Sequence, residues 1–248
     1  MRVAVFDSGV GGLTVAKSLI HSAIFSEIIY YGDTARVPYG TKDANTVIRY
    51  SLEALEFFSN FDPEMMIVAC NSATAYALDE LKKQASFPVY GVIEPGVLAV
   101  TRSPLAKEDP ILVIGTHATV KSGHYQRMLA EKGYTNVIAK ATPLLVPLVE
   151  EGIKKGDILT PVFDHYFRDL PKPKAVILGC THFPLISDEL QAYFNGAMMI
   201  HSGDAIVEYL KLENIAQKDI KKTELKLFAS ENVHRLKEVA DNWIGEIR

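Results

Sequence analysis

Cysteine is nearly absent from this sequence: there are two, Cys70 and Cys180, in 248 residues. Neither belongs to a close C-x-x-C pair, and a metal-binding module built on Cys70, Cys180 and His182 would lack a clear fourth ligand, so no metal is expected. Long apolar runs are missing as well. None reaches the roughly 18 residues of a membrane span. Basic charge is not in excess: the formal net charge is −4, which argues against a nucleic-acid surface. The one basic stretch, Lys218 to Lys226, is interrupted by acids and reads as a solvated connection. The opening MRVAVFDSG is too short in its apolar part for a signal peptide and leads straight into a strand. The chain is therefore expected in the cytoplasm, where thiols stay reduced and a disulfide is not expected.

What is there is ordinary for a soluble globular protein, with 48% hydrophobic and 23% charged residues, and is long enough for one large domain or two smaller ones. Apolar runs and helical periodicity alternate. Strands are expected at Arg2 to Phe6, Glu27 to Tyr31, the run ending at Cys70, and Val89 to Ile93. Helices are expected at Leu13 to His21, about Ala44 to Asn60, after Cys70 through about Gln84, and from Glu94-Pro95. This alternation implies an α/β fold with mostly parallel sheets covered on both faces and sites at strand carboxyl ends.

Near Asp109-Pro110 the pattern restarts: a strand at Ile111 to Gly115, a polar turn at Thr116 to Thr119, a helix at Val120 to Lys132 and a strand at Thr135 to Ala139. Helical stretches around Leu144 to Ile153 and Ile158 to Arg168 follow, then the strand ending at Cys180. Asp7 precedes Cys70 by about 63 positions, and Thr116 precedes Cys180 by about 64. Equal spacing points to two similar α/β halves facing each other, with the site between them. We expect residues 1–92 plus 207–248 to form the first and 93–206 the second. The last segments, a helix from about Asp204 to Leu212, a strand Glu224 to Ala229 and a helix Glu231 to Trp243, are expected to pack back on the first half.

In MMIVACNSATA and again in AVILGCTHFP, a buried strand ends at a cysteine and small polar residues open a helix. A sulfur placed there faces unpaired backbone N–H groups, which favour thiolate. Free cysteine also packs as a small hydrophobe, but two matched contexts with no cysteine elsewhere weigh against that reading. Asp7 can equally cap its turn, His182 a helix, and Glu150 can sit on a solvated helix face. A dinucleotide-binding unit is imitated by the GVGG turn and by Asp33, about 21 positions beyond Gly12. Thr14, however, replaces the last glycine of that motif, no phosphate-binding lysine follows Gly12, and the paired cysteines would go unexplained.

FDSGVGGLTV, YYGDTARVPYG, CNSATA, GTHATVKSG and LGCTHFPL, in this order over most of the chain, resemble the motifs of the aspartate/glutamate racemase family. Ser72 stands where many relatives carry Thr, which keeps the hydroxyl. The resemblance implies interconversion of L- and D-glutamate without pyridoxal phosphate or another cofactor, supplying D-glutamate for peptidoglycan, by a homodimer. Aspartate or another amino acid is the alternative substrate. By the same resemblance Cys70 deprotonates D-glutamate and Cys180 L-glutamate; Asp7 and Ser8 hold the ammonium group, with Asp7 supporting Cys70. Asn71, Ser72, Thr116 and Thr119 bind the α-carboxylate. Pro38, Tyr39 and Gly40 serve the side-chain carboxylate, Thr181 adjoins Cys180, and His182 assists it with Glu150 behind. The chemistry agrees with the name. Inverting an α-carbon without a cofactor takes one acid/base group on each face, and two cysteines from facing halves meet that need.

Overall fold

The computed structural model describes residues 1–215, 220 and 222–245, so Lys218 and Lys221 of the basic stretch lie outside the described residues. In the first part β1 (Arg2–Asp7), α1 (Leu13–Ser22), β2 (Glu27–Gly32), α2 (Ala44–Phe58), β3 (Met65–Val68), α3 (Asn71–Gln84), β4 (Val89–Gly91) and α4 (Ile93–Thr101) alternate. The second contains β5 (Ile111–Gly115), α5 (His117–Ser122), α6 (His124–Glu131), β6 (Val137–Ala141), α7 (Leu145–Glu150), α8 (Leu159–Phe167), β7 (Ala175–Gly179), α9 (Ser187–Tyr193) and β8 (Met198–His201). The chain then continues through α10 (Ser202–Leu212), β9 (Glu224–Ala229) and α11 (Val233–Ile244).

The strands form two wholly parallel sheets, ordered β4-β3-β1-β2-β9 and β6-β5-β7-β8. Read from the other edge, the first sheet runs β2-β1-β3-β4, the same order as the second, so β1 corresponds to β5 and β3 to β7. The central strands β3, β5 and β7 are buried along their whole length, as apolar runs covered on both faces must be. In both sheets the crevice at the strand carboxyl ends opens where the order reverses, between β1 and β3 and between β5 and β7. One apolar cluster joins the inner faces: Val5 and Ile67 of the first sheet, Leu112 and Leu178 of the second, Leu19 of α1 and Leu210 of α10. β9 adds to the edge of the first sheet beside β2, with Lys226 paired to Glu27. Along α11, Leu236, Ala240 and Trp243 are buried at helical spacing. Among the described residues no helix is long and apolar enough to cross a membrane.

Several local expectations differ from what forms. The helix expected over Val120 to Lys132 begins earlier, where Thr116 caps α5, and breaks at Gly123, whose φ of +69° ends one helix and starts the next. The strand expected at Thr135 to Ala139 shifts to β6 because the Tyr134 N–H turns back to the Leu129 carbonyl, which uses up the residues before it. β4 stops at Gly91 and α4 starts at Ile93, so Glu94-Pro95 lies in its first turn. The four-residue β8 was not expected; its MMIH is too short to show a period.

Candidate functional site

Four strand ends supply the site. β1 ends at Asp7, followed by Ser8; β3 leads to Cys70; β5 leads to Thr116; β7 leads to Cys180. Cys70 is the N-cap of α3, its sulfur accepting from Ala73 N–H at 3.5 Å, and Thr116 is the N-cap of α5, accepting from Thr119 N–H at 3.2 Å. Both cysteines are free and buried, and both line one cavity of about 40 Å³. Ser8, Pro38, Tyr39, Gly40, Asn71, Ser72, Thr116, Glu150, Thr181 and His182 line it with them.

The halves meet there through polar contacts. Ser72 Oγ and Thr116 Oγ1 are 2.8 Å apart, with Thr119 Oγ1 3.4 Å from Ser72 and 3.2 Å from Thr116. Thr14 at the start of α1 donates to the Thr181 carbonyl at 2.8 Å. The turn at Gly40 presses on Thr116 so closely that a Cβ there would fall 2.4 Å from the threonine Cβ. A Cβ at Gly11 would meet Thr181 and His182 at 2.3 and 2.6 Å. Both approaches require glycine.

The two cysteines have different company. Cys70 Sγ lies 3.5 Å from Ser8 Oγ, and burial together with the Asp7 charge pushes its thiol up to about 12. This corrects the expectation that the helix N-terminus would favour thiolate: loss of solvation outweighs one N–H. Cys180 Sγ instead lies 3.7 Å from His182 Nδ1, whose Nε2 is 2.9 Å from Glu150 Oε1. Burial opposes a charged His182, yet its bonds to Cys180 and Glu150 outweigh this and push it up to about 10. The imidazolium in turn holds the Glu150 carboxyl below the usual carboxylate range.

Asp7 and Thr119 do not line the cavity. Asp7 is fully buried behind the wall, accepting from Gly9 N–H at 3.0 Å and from the Thr181 hydroxyl at 3.4 Å, and burial raises its pKa. Thr119 lies beneath Ser72. The Tyr39 hydroxyl donates to buried Asp33 at 2.5 Å, and Arg36 closes on the same carboxylate. Val37, Val146 and Gly179 also line the cavity. Val37 and Gly179 lie within the quoted motifs YYGDTARVPYG and LGCTHFPL but were not singled out; Val146 lies in an unremarkable apolar stretch and gave no signal. Among the described residues no group of three His, Cys, Asp or Glu side chains is arranged to hold a metal ion.

A cavity between two α/β halves, with a cysteine at a matching strand end on either side, offers acid/base groups to both faces of a small substrate. The comparisons agree. The family model for Asp/Glu/Hydantoin racemase matches residues 14–210, and the chain belongs to that family. A glutamate racemase from Nitratiruptor sp. is 61% identical over 248 residues, 99% of this chain and 97% of that protein. The crystal structure of glutamate racemase from Campylobacter jejuni superposes with a TM-score of 0.98 at 52% identity, covering 100% of both chains. That of the Francisella tularensis glutamate racemase in complex with D-glutamate gives 0.86 at 29% identity, over 98% of this chain and 93% of that one.

Proposed function

We propose that this racemase interconverts L- and D-glutamate without a cofactor, using Cys70 and Cys180 as the two acid/base groups, and so supplies D-glutamate for peptidoglycan. The observation that carries the proposal is the pair of cysteines at corresponding strand ends, lining one cavity from two sides. From L-glutamate, the Cys180 thiolate takes the α-proton while the Cys70 thiol delivers its own to the opposite face. The reverse reaction exchanges the roles. A Cys70 thiol that titrates at about 12 enters the first of these directions already protonated, and a His182 that titrates at about 10 stands beside Cys180 as a cation. Taking an amino-acid α-proton without an electron sink demands that the developing negative charge meet fixed donors away from bulk water.

Asn71, Ser72 and Thr116 hold the α-carboxylate, with Thr119 bracing the hydroxyls from beneath. Ser8 meets the ammonium group. Asp7, behind the wall, contributes its charge and its bond to Thr181 rather than direct contact. Pro38, Tyr39 and Gly40 carry the side-chain carboxylate, Asp33 securing the Tyr39 phenol. Thr181 completes the wall beside Cys180, and Glu150 keeps His182 protonated and oriented.

About 40 Å³ is far below the 300–1,000 Å³ or so usual for ligand pockets. The halves, 1–92 with 207–248 and 93–206, therefore part to admit and release the amino acid. A homodimer in the cytoplasm, where both thiols stay reduced, completes the proposal. The test is circular dichroism of L- and D-glutamate, and of L- and D-aspartate, incubated with the purified protein. Glutamate signal is expected to decay to zero from either enantiomer with aspartate unchanged; decay of aspartate alone would overturn the substrate assignment.

A further inference from the structure

The Asn71 amide has two ends, and buried groups outside the cavity lining hold both. Its Oδ1 accepts from the Tyr125 hydroxyl at 2.7 Å, and its Nδ2 donates to Ser202 Oγ at 3.3 Å. Tyr125 lies in α6 and Ser202 opens α10, so residues 54 and 131 positions away meet at one side chain. Asn71, by contrast, lines the cavity between Cys70 and Ser72.

The hydrogen-bond partners set which end of the amide is oxygen. The buried Tyr125 phenol keeps its proton and so has one to give the amide oxygen 2.7 Å away. Ser202 gives its hydroxyl proton to the Leu178 carbonyl at 3.5 Å, which leaves its lone pairs facing Nδ2. The amide oxygen is thereby turned toward Tyr125. One N–H goes to Ser202, and the second has no further partner among the described residues.

The Tyr125 ring is buried beside two glycines. A Cβ at Gly96 would come within 3.1 Å of one ring edge, and a Cβ at Gly179, just before Cys180, within 3.4 Å of the other. The ring thus lies where a side chain on the residue preceding one cysteine would meet it, while its hydroxyl bonds the residue following the other.

We propose that Tyr125, with Ser202, is a positioning residue that sets the Asn71 amide to offer N–H, and not C=O, to the substrate carboxylate. This rests on the assignment of Asn71 to the carboxylate made above. With the amide free to turn over, a carbonyl oxygen would face the carboxylate for part of the time, and a charge-assisted hydrogen bond would give way to repulsion.

Tyr125→Phe removes the hydroxyl and keeps the ring. Calorimetric titration with D-glutamate is expected to show binding weaker by about tenfold, the scale of one hydrogen bond to a charged group. KM should rise by a similar factor while kcat changes less, a split that general loosening of the site would not produce. Ser202→Ala, which leaves the packed ring alone, should weaken binding in the same direction by about threefold or more. The deciding comparison uses Asn71→Ala, in whose background Tyr125→Phe should have no further effect. An equal loss in both backgrounds, or unchanged binding in both Tyr125→Phe and Ser202→Ala, overturns the inference. Unchanged binding in Asn71→Ala itself would instead remove the carboxylate assignment on which it depends.

Discussion

Cys70 and Cys180 occupy corresponding places in two copies of one topology, after β3 and β7, yet their neighbours carry opposite charge. On the Cys70 side stand the Ser8 hydroxyl, one helix N–H and the buried Asp7 carboxyl. On the Cys180 side stand an imidazolium and the carboxylate that sustains it. The repeated fold sets where each sulfur sits; side chains that are not repeated set its electrostatic setting. A reaction whose two directions exchange acid and base does not require equal surroundings for the two groups.

The largest effects should fall on the element the two sides share. Cys70→Ala or Cys180→Ala removes a base in one direction and an acid in the other, so kcat/KM should drop by about 10²–10⁴-fold or more. The loss must be the same from L- and from D-glutamate, because enantiomers have equal free energy and kcat/KM must match in the two directions. Initial rates by circular dichroism check this, and a variant retaining near-normal turnover would end the pairing.

Breaking the Cys180 side is expected to come next. Glu150→Gln takes the charge from the His182 ring, with a loss of about tenfold in kcat/KM, the scale of one charge-assisted hydrogen bond. The more specific sign lies in the pH profile. His182 titrates at about 10, so the alkaline limb it controls should lie near there, and it should move to lower pH in Glu150→Gln. An unmoved limb would separate His182 from Glu150.

The Cys70 side offers a direct thermodynamic check. The Asp7 charge helps raise the Cys70 thiol to about 12, so Asp7→Asn should let it ionise at lower pH. Alkylation rates against pH in a Cys180→Ala background read Cys70 alone; an unchanged or raised midpoint would contradict the account.

The smallest effect concerns stability. His182 has its folded pKa raised from 6.5 to about 10, so the stability it contributes is fully present below about 6.5 and fades as pH rises through about 10. The melting-temperature advantage of the unmodified protein over Glu150→Gln should therefore be larger near pH 6 than near pH 10. An advantage that grew with pH would reverse the sign of the coupling.

What the sequence disclosed and what it hid divide along the same physical line. Cys70 and Thr116 were legible because a strand that ends in a helix cap is local, Cys180 because it repeats the strand-end context of Cys70, and the matched spacing between halves reflected a repeated strand order. Much of the cavity lining was legible where it lay within a motif, as at Ser8, Gly40, Asn71 and Thr181, although Val37 and Gly179, inside two of the motifs, were not singled out. The supporting contacts were not. Tyr125 and Ser202 act through partners chosen by tertiary packing, and nothing in their neighbours announces it; Asp33 lies inside a quoted motif, but its bond to Tyr39 was not foreseen. The rise of the Cys70 thiol was hidden for the same reason: the helix N-terminus is written in the local sequence, but the depth of burial is not. Asp7 was expected at the site, while its place behind the wall depends on how α1 meets the Thr181 turn.

The most direct test of the paired-cysteine claim follows the protons. In deuterated water the thiol waiting on the far face carries deuterium, while the thiolate on the near face takes protium from the substrate and holds it. Starting from L-glutamate, and sampled at early times by NMR or mass spectrometry, the D-glutamate formed should be deuterated at Cα and the remaining L-glutamate should not; from D-glutamate the pattern should be mirrored. Substantial protium carried from substrate into product in either direction would contradict two separate bases and point to one group serving both faces.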